Sequence, residues 1–417
     1  MAEILHYQRD RSLADVPGFH AWLQLRLADG SQVYLALSPT EFTLTFSDEV
    51  AIHYDLQGRF TKFVTLANYH RRSLSGKILH TVKGGGIRRS IVGDDIIEQA
   101  RRRVLVIQQA FESATIEFAR PDNAPEIFHP LLERAARFDI AASRADTKRF
   151  HELYRDVAIL PPDQYNALVF QATEGCAYRE CLFCDFYRDR PFRAKTPEEF
   201  AAHVDAVVAF HGKTHRNSIF LGEANALTLP HETLVAIFQI IRERFGVCVG
   251  SGSGTGGTPV PLFPGGIASF VDAFTRQPDF PALAQLGLRR VYVGMETGSD
   301  ELLRWLRKPA TTEKMSATVV AAKAAWTSVG VIVLLGAGGE RFAEAHVRET
   351  VRVLNALPLG KGDYIYMSPL VVKPESAYDA PLLSAEQIRQ QELAIRAGIQ
   401  LSPKPYVARY EVETFVY

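Results

Sequence analysis

Over the first 160 residues, apolar and polar positions alternate in short runs. Val33-Tyr34-Leu35-Ala36-Leu37 and Phe42-Thr43-Leu44-Thr45-Phe46 put every second side chain on one face, the period of a half-buried strand. The period then lengthens. Ile91 to Glu112 reads as a helix, and Ala124 to Arg144 holds another. These elements predict a small α+β domain over residues 1–160, ending near Pro161-Pro162. No repeat is visible in it.

Beyond residue 165 the pattern becomes strand then helix, repeated. Ala167 to Thr173 is a continuous apolar strand. The helix after it opens at Thr196-Pro197-Glu198-Glu199, where Thr196 can cap and Glu199 can reach back to complete a capping box. Phe200, Val204, Val207 and Val208 share one face of that helix. Ser218 to Glu223 and Val247 to Gly250 read as the second and third strands, with a helix marked by Leu234, Ile237, Phe238 and Ile241 between them. A Gly/Ser/Thr/Pro stretch, Gly250 to Gly266, reads as a loop insertion. Further strands follow at Arg290 to Glu296, Val331 to Leu335 and Tyr364 to Val372, with helices between them and a last helix at Ser384 to Ile399.

Six such units predict an α/β fold: a parallel sheet curled into a partial (β/α)6 TIM-like barrel, with the smaller α+β domain ahead of it. The barrel core is expected over residues 161–375, and residues 376–417 add a C-terminal helix and strand that complete it. Chemistry in such barrels sits at the C-terminal ends of the strands.

Composition changes this picture little. The 417 residues carry 47 Lys+Arg against 47 Asp+Glu, so global charge names no partner. No apolar run reaches the roughly 18 residues of a membrane helix. Met1 to Asp10 has no apolar signal region, and the expected location is the cytoplasm.

The cysteines change it more. Three of the four lie in Gly175-Cys176-Ala177-Tyr178-Arg179-Glu180-Cys181-Leu182-Phe183-Cys184, spaced C-x4-C-x2-C just after the first barrel strand. Three thiolates this close can bind three irons of a cubane and leave the fourth open. The spacing leaves two alternatives. It also opens the plant-type [2Fe–2S] pattern, for which Cys248 would be the fourth ligand. A Cys₃His zinc site would draw on His203, His211 or His215, which read as surface residues on or just after the first helix.

The motif resembles the radical S-adenosylmethionine (SAM) superfamily, whose usual spacing is C-x3-C-x2-C, with one extra residue here in the first gap. The resemblance implies a [4Fe-4S] cluster held by Cys176, Cys181 and Cys184, with SAM on the open iron. It also implies that Phe183 lies near the SAM adenine. Leu221-Gly222-Glu223 is similar to the family's Gly-Gly-Glu-like motif, which implies that Gly222 and Glu223 hold the SAM amino group. Gly294-Met295-Glu296-Thr297-Gly298-Ser299-Asp300 resembles a segment of the methylthiotransferase and oxygen-independent coproporphyrinogen oxidase-like branch. There Glu296 would accept hydrogen bonds from ribose hydroxyls, and Ser299 would either contact the cofactor or cap the next helix. Gly330 to Glu340 resembles the family's adenine-binding strand, with Gly336, Gly338 and Gly339 allowing close approach to the ligand. The resemblance covers about residues 165–375.

On the substrate side, Asp272, Tyr364 and Tyr366 lie at or near strand ends or loops, as substrate-facing candidates or as structural residues. Arg59 to Arg103 holds eleven Lys/Arg against three Asp/Glu, which suits an anionic substrate, RNA included, or a solvated basic face. Only Cys248 is spare where a second cluster needs three more cysteines, and no segment looks like a cobalamin domain. The resemblance therefore implies a one-cluster enzyme acting on an unidentified organic substrate, anionic if the basic run binds it, with a one-electron donor such as flavodoxin or ferredoxin. The other reading is a zinc- or cluster-stabilised nucleic-acid-binding protein without turnover.

Overall fold

The computed structural model describes residues 20–83, 87–188, 190–212, 216, 218–224, 226–245, 265–274, 276–373, 376–412, 415 and 417. The chain divides into two compact units. The first is Met1–Asp156 with Val208–His215 and Val416–Tyr417; the second is Val157–Val207 with Arg216–Phe415.

The first unit is built on a nine-stranded antiparallel sheet in the order β8-β7-β6-β5-β4-β3-β2-β1-β9. Its strands are β1 (Ala21–Arg26), β2 (Gln32–Leu37), β3 (Glu41–Phe46), β4 (Ala51–Asp55), β5 (Phe60–Val64), β6 (Asn68–Arg72), β7 (Ile78–Lys83), β8 (Ile87–Val92) and β9 (Thr115–Arg120). The alternation read in the sequence is the reason for the sheet's two faces. Leu35, Phe42 and Leu44 are fully buried, while Tyr34 and Thr43 on the other face are half-buried. Helices α1 (Asp95–Ala110) and α2 (Ala124–Ala136) contribute Ile97, Ala100, Val104, Phe128 and Leu132 to the same core as the strands. Helix α3 (Ile140–Leu153) follows.

Two boundaries differ from the sequence reading. Ile91 belongs to β8, because its strand pairs with β7 before α1 begins. Ala124 to Arg144 is two helices, broken where Asp139 leaves helical geometry to cap α3 through Ala142 N–H.

The second unit carries a seven-stranded sheet, parallel throughout, in the order β10-β13-β14-β15-β16-β17-β18. These are β10 (Ala167–Gln171), β13 (Ser218–Gly222), β14 (Ile267–Val271), β15 (Leu288–Glu296), β16 (Ser328–Leu335), β17 (Tyr364–Pro369) and β18 (Tyr406–Arg409). Spatial order follows chain order and no pairing joins β18 to β10 among the described residues, so this is a partial, open TIM-like barrel. Short strands β11 (Thr173–Glu174) and β12 (Arg193–Ala194) pair separately. The strand expected at Val247 to Gly250 lies outside the described residues, as does most of Gly250 to Gly266. The described third strand is β14, whose run Ile-Ala-Ser-Phe-Val alternates too weakly to stand out beside a glycine-rich stretch.

The helices that follow are α4 (Pro197–His211), of which the part from Val208 on belongs to the first unit, then α5 (His231–Phe245), α6 (Phe280–Gln285), α7 (Asp300–Trp305), α8 (Thr312–Ala324), α9 (Gly339–Ala356) and α10 (Ala385–Gly398). The capping box at Thr196 and Glu199 forms with both reciprocal bonds, and a second closes at Ser384 and Gln387. No helix among the described residues is long and apolar enough to cross a membrane.

Candidate active site

The loop after β10 and β11 carries the three cysteines. Gly175 opens it at φ +74°, and a Cβ there would lie 2.8 Å from the Pro191 carbonyl oxygen, so only glycine fits. Across β11 and β12, Glu174 accepts from Lys195 at 3.0 Å, which ties the two ends of the loop together. Inside the loop, Arg188 donates to the carbonyls of Cys184 and Cys181 at 3.1 and 3.0 Å. Leu182 is anchored by its N–H on the Leu306 carbonyl.

Cys176, Cys181 and Cys184 all line one cavity of about 520 Å³. Its other walls come from the C-terminal ends of the strands: Phe270 on β14 and Asp272 just after it, Tyr292, Gly294 and Glu296 on β15, Ile332 and Leu334 on β16, Ser368 and Leu370 at β17. Burial pushes the Cys176 thiol up to about 11 and the Cys181 thiol up to about 12, and it raises Cys184 too. Each sulfur therefore keeps its proton until a metal displaces it. Among the described residues no three His, Cys, Asp or Glu side chains converge on a single ion. A cubane does not require that, because each sulfur serves a different iron. The donor set, three thiols on one cavity wall, fits a [4Fe–4S] cluster with an open corner.

Zinc loses its described histidine candidates. His203 and His211 are buried, not exposed as the sequence reading had them. Nε2 of His203 accepts the Gln171 N–H at 3.1 Å, and His211 lies edge-on to Tyr154. His215 and Cys248 lie outside the described residues.

Glu296 is buried with φ +60°, and its Oε1 accepts from Lys308 Nζ at 2.7 Å. A Cβ on Gly294 would sit 2.4 Å from Glu296 Oε1 and 3.1 Å from Lys308 Nζ, so this glycine leaves the room for the pair. Burial pulls the Lys308 ammonium down, but Glu296, Cys181 and Asp272 outweigh it and raise its pKa. The same ammonium lies 5.7 Å from the centroid of Phe183, which also lines the cavity. Asp272 is half-buried, and its shielded Oδ2 has no hydrogen-bond partner among the described residues. Burial pushes this carboxyl up to about 7, against the pull of Lys308. Sequence reading missed Lys308; its partnership with Glu296 depends on a turn of the chain after α7 that no local pattern announces.

Several expected cofactor contacts are otherwise engaged. Glu223 accepts from Gln171 at 2.8 Å, Arg190 at 3.2 Å and the Gly175 N–H, and with Gly222 it lines a small pocket behind the main cavity. Burial raises its carboxyl to about 7. Ser299 is buried and caps α7, accepting from Leu302 N–H. In the glycine turn, Gly336 N–H donates to Gln391, Gly338 N–H to Tyr378, and Gly339 N–H back to the Gly336 carbonyl. These donors are spent inside the protein. From β16 the cavity takes Ile332 and Leu334 instead.

Tyr364 and Tyr366 lie where the structural alternative puts them. Tyr364 begins β17, at the end opposite the cysteines, and neither residue lines the cavity. Tyr366 donates to Asp163 Oδ1 at 2.7 Å, and Tyr292 donates to Oδ2 of the same carboxylate at 2.6 Å. Arg290 pairs with it as well. Five of the basic residues of the first unit's run are paired. Arg59 and Arg72 meet Asp146, Lys62 meets Glu41, Arg101 meets Glu98 and Arg103 meets Asp48.

A parallel open barrel with a thiol-bearing loop after its first strand, facing a buried acid–lysine pair, defines a cluster-binding β/α enzyme core. Residues 170–351 match the family model described as Radical SAM superfamily, and this segment is a radical SAM domain. The family implies a [4Fe–4S] cluster and SAM as cofactors. No curated protein matches the sequence. Among solved structures, the chain is similar to the radical SAM methyltransferase TsrM from Kitasatospora setae with tryptophan and a SAM analogue bound (15% identity, 63% of this chain and 59% of that one, TM-score 0.42). It is also similar to coproporphyrinogen III oxidase HemN from Escherichia coli (16% identity, 56% and 53%, TM-score 0.40). A third is the cobalamin-dependent radical SAM enzyme OxsB (16%, 56% and 32%, TM-score 0.33). The chain thus spans about a third of OxsB and somewhat over half of the other two.

Proposed function

We propose that this chain reductively cleaves SAM with a single [4Fe–4S] cluster and directs the resulting radical at an unidentified organic substrate. When bound, the reduced cluster supplies one electron to the SAM sulfonium, giving methionine and a 5′-deoxyadenosyl radical. The carrying observation is that the three thiols, the Glu296–Lys308 pair and Asp272 all line one cavity.

The residues take roles that follow from their surroundings. Cys176, Cys181 and Cys184 ligate. Lys308 offsets the negative charge of the thiolates and can meet a ligand carboxylate. Glu296 keeps lone pairs for ribose hydroxyls, and Asp272 can accept from an ammonium or hydroxyl. Phe183 offers a ring face to the adenine. Glu223, with both oxygens occupied, fixes the loop at Gly175, while Ser299 and the Gly336–Gly339 turn support the strand ends from behind. Phe270, Phe274, Ile332 and Leu334 exclude water, as a reactive carbon radical requires. The electron comes from a low-potential carrier such as flavodoxin or ferredoxin, in a reducing compartment such as the cytoplasm.

Anaerobic reconstitution tests this reading. It should give roughly four iron and four sulfide per chain. Dithionite and SAM should then yield 5′-deoxyadenosine. Cluster-loaded, reduced protein that leaves SAM intact would overturn it. Deuterium transfer from labelled metabolites into 5′-deoxyadenosine identifies the substrate.

A further inference from the structure

Charge in the cavity wall nearly cancels, and Asp272 is what remains. Glu296 is neutralised by Lys308 at 2.7 Å, and Asp185 by Arg188 at 3.2 Å. Arg179 and Lys373 line the cavity as exposed residues, where water and salt screen them. Asp272 is half-buried, and Lys308, the cation that pulls on it, is bonded to Glu296 instead. Its Oδ2 is shielded and has no hydrogen-bond partner among the described residues. A ligand in the cavity therefore meets this carboxyl through Oδ1. The cofactors do not supply the missing charge. A [4Fe–4S]²⁺ core on three thiolates carries one negative charge, and SAM carries at most one positive charge, so together they leave none over for Asp272.

What surrounds Asp272 is aromatic. Phe270 and Phe274, two residues to either side, line the same cavity. The Phe270 ring centroid is 6.0 Å from that of Tyr292, and the Phe274 centroid is 5.8 Å from that of Tyr178. Ring faces attract an organic cation and offer nothing to the oxygens of an anion. Apolar packing accounts for the rings by themselves. It does not account for a carboxyl set among them, since a half-buried acid without a counter-charge is costly until a ligand completes it. The raised pKa of this carboxyl is the mark of that cost.

We propose that the substrate is an organic cation, a primary amine with an apolar or aromatic body, whose ammonium pairs with Asp272 while its body lies against Phe270, Phe274 and Tyr292. The inference rests on the radical-forming function proposed above and names the substrate class for it. Asp272 is then the specificity-determining residue, and it holds the amine end so that neighbouring C–H bonds are presented to the radical. An anionic substrate, which the basic run of the first unit suits, would meet like charge here.

Two probes of one shape and opposite charge test this, phenethylamine and 3-phenylpropionate. Binding is measured by calorimetry at pH 8 on cluster-loaded protein with SAM present and no reductant. Phenethylamine should bind at least about tenfold more tightly. The preference should vanish in Asp272→Asn and return at least in part in Asp272→Glu, which a merely structural role would not give. Equal affinities, a preference that survives in Asp272→Asn, or no phenethylamine binding overturns the proposal. So does displacement of phenethylamine by SAM, because Asp272 would then serve the SAM ammonium. If the chain takes up no cluster, or the reduced protein leaves SAM intact, the radical-forming reading fails by itself. The same probes on the cluster-free protein then decide the amine site by the same criteria.

Discussion

The two sheets treat buried charge in opposite ways. In the antiparallel sheet the charges are closed on one another. Arg72 pairs with Asp146 at 3.1 Å and donates to Ser143, and Arg59 is held by Asp55 and Asp146. In the parallel sheet the groups at the strand ends are left open on one side. Asp272 keeps an unpartnered oxygen, and the Glu296–Lys308 pair faces the cavity. A closed circuit satisfies the desolvation cost of its charges within the fold. An open one leaves part of that cost for a ligand to relieve, which is what a binding site needs.

Removing a cluster ligand should produce the largest effect. Alanine at Cys176, Cys181 or Cys184 is expected to lower bound iron at least tenfold after anaerobic reconstitution, read by iron analysis and the broad visible absorbance, with the urea midpoint of the apoprotein little changed. Full iron retention in all three variants would remove the site. Opening the closed circuit comes next. Asp146→Ala strands the buried Arg72 guanidinium, while Arg59 keeps Asp55, and should cost about 3 kcal/mol in urea unfolding. Iron content per folded chain should not move.

Acid should weaken the second unit by a comparable amount. Burial holds the pKa of His346 down at about 4 and that of His203 at about 3, so both are neutral in the fold. The unfolded chain binds more protons than the native one between those values and the ordinary value near 6.5. Their contribution is therefore complete above about pH 6.5 and is lost as pH falls toward 4, by about 3 kcal/mol for His346 alone. Urea midpoints from pH 7 down to pH 4.5 check this. His346→Gln should flatten the profile, and an unchanged slope would show that this imidazole is not held neutral.

Smaller effects sharpen the open side. Lys308→Met should weaken SAM binding to the cluster-loaded protein by about tenfold, near 1.4 kcal/mol, as measured by calorimetry. Ser299→Ala should cost about 1 kcal/mol of stability through the lost cap and leave SAM affinity unchanged. A tenfold loss of affinity in that variant would return Ser299 to the cofactor site.

The sequence itself determined most of the frame. Local pattern marked the alternating strands of the first sheet, the capping box at Thr196, and the strand–helix rhythm of the second unit. The cysteine spacing is local too, since nine residues on one loop must lie together in any fold. What the tertiary structure decided was which polar groups remain free. Tyr366, Ser299 and the Gly336–Gly339 turn sat at plausible positions along the chain, yet Asp163, the start of α7, Gln391 and Tyr378 take up their hydrogen bonds. Lys308 became part of the cavity because the turn after α7 carried it back to Glu296. Hydrogen bonds between residues far apart in the chain leave no mark on local pattern, so vacancy and occupancy at this site could be read only after folding.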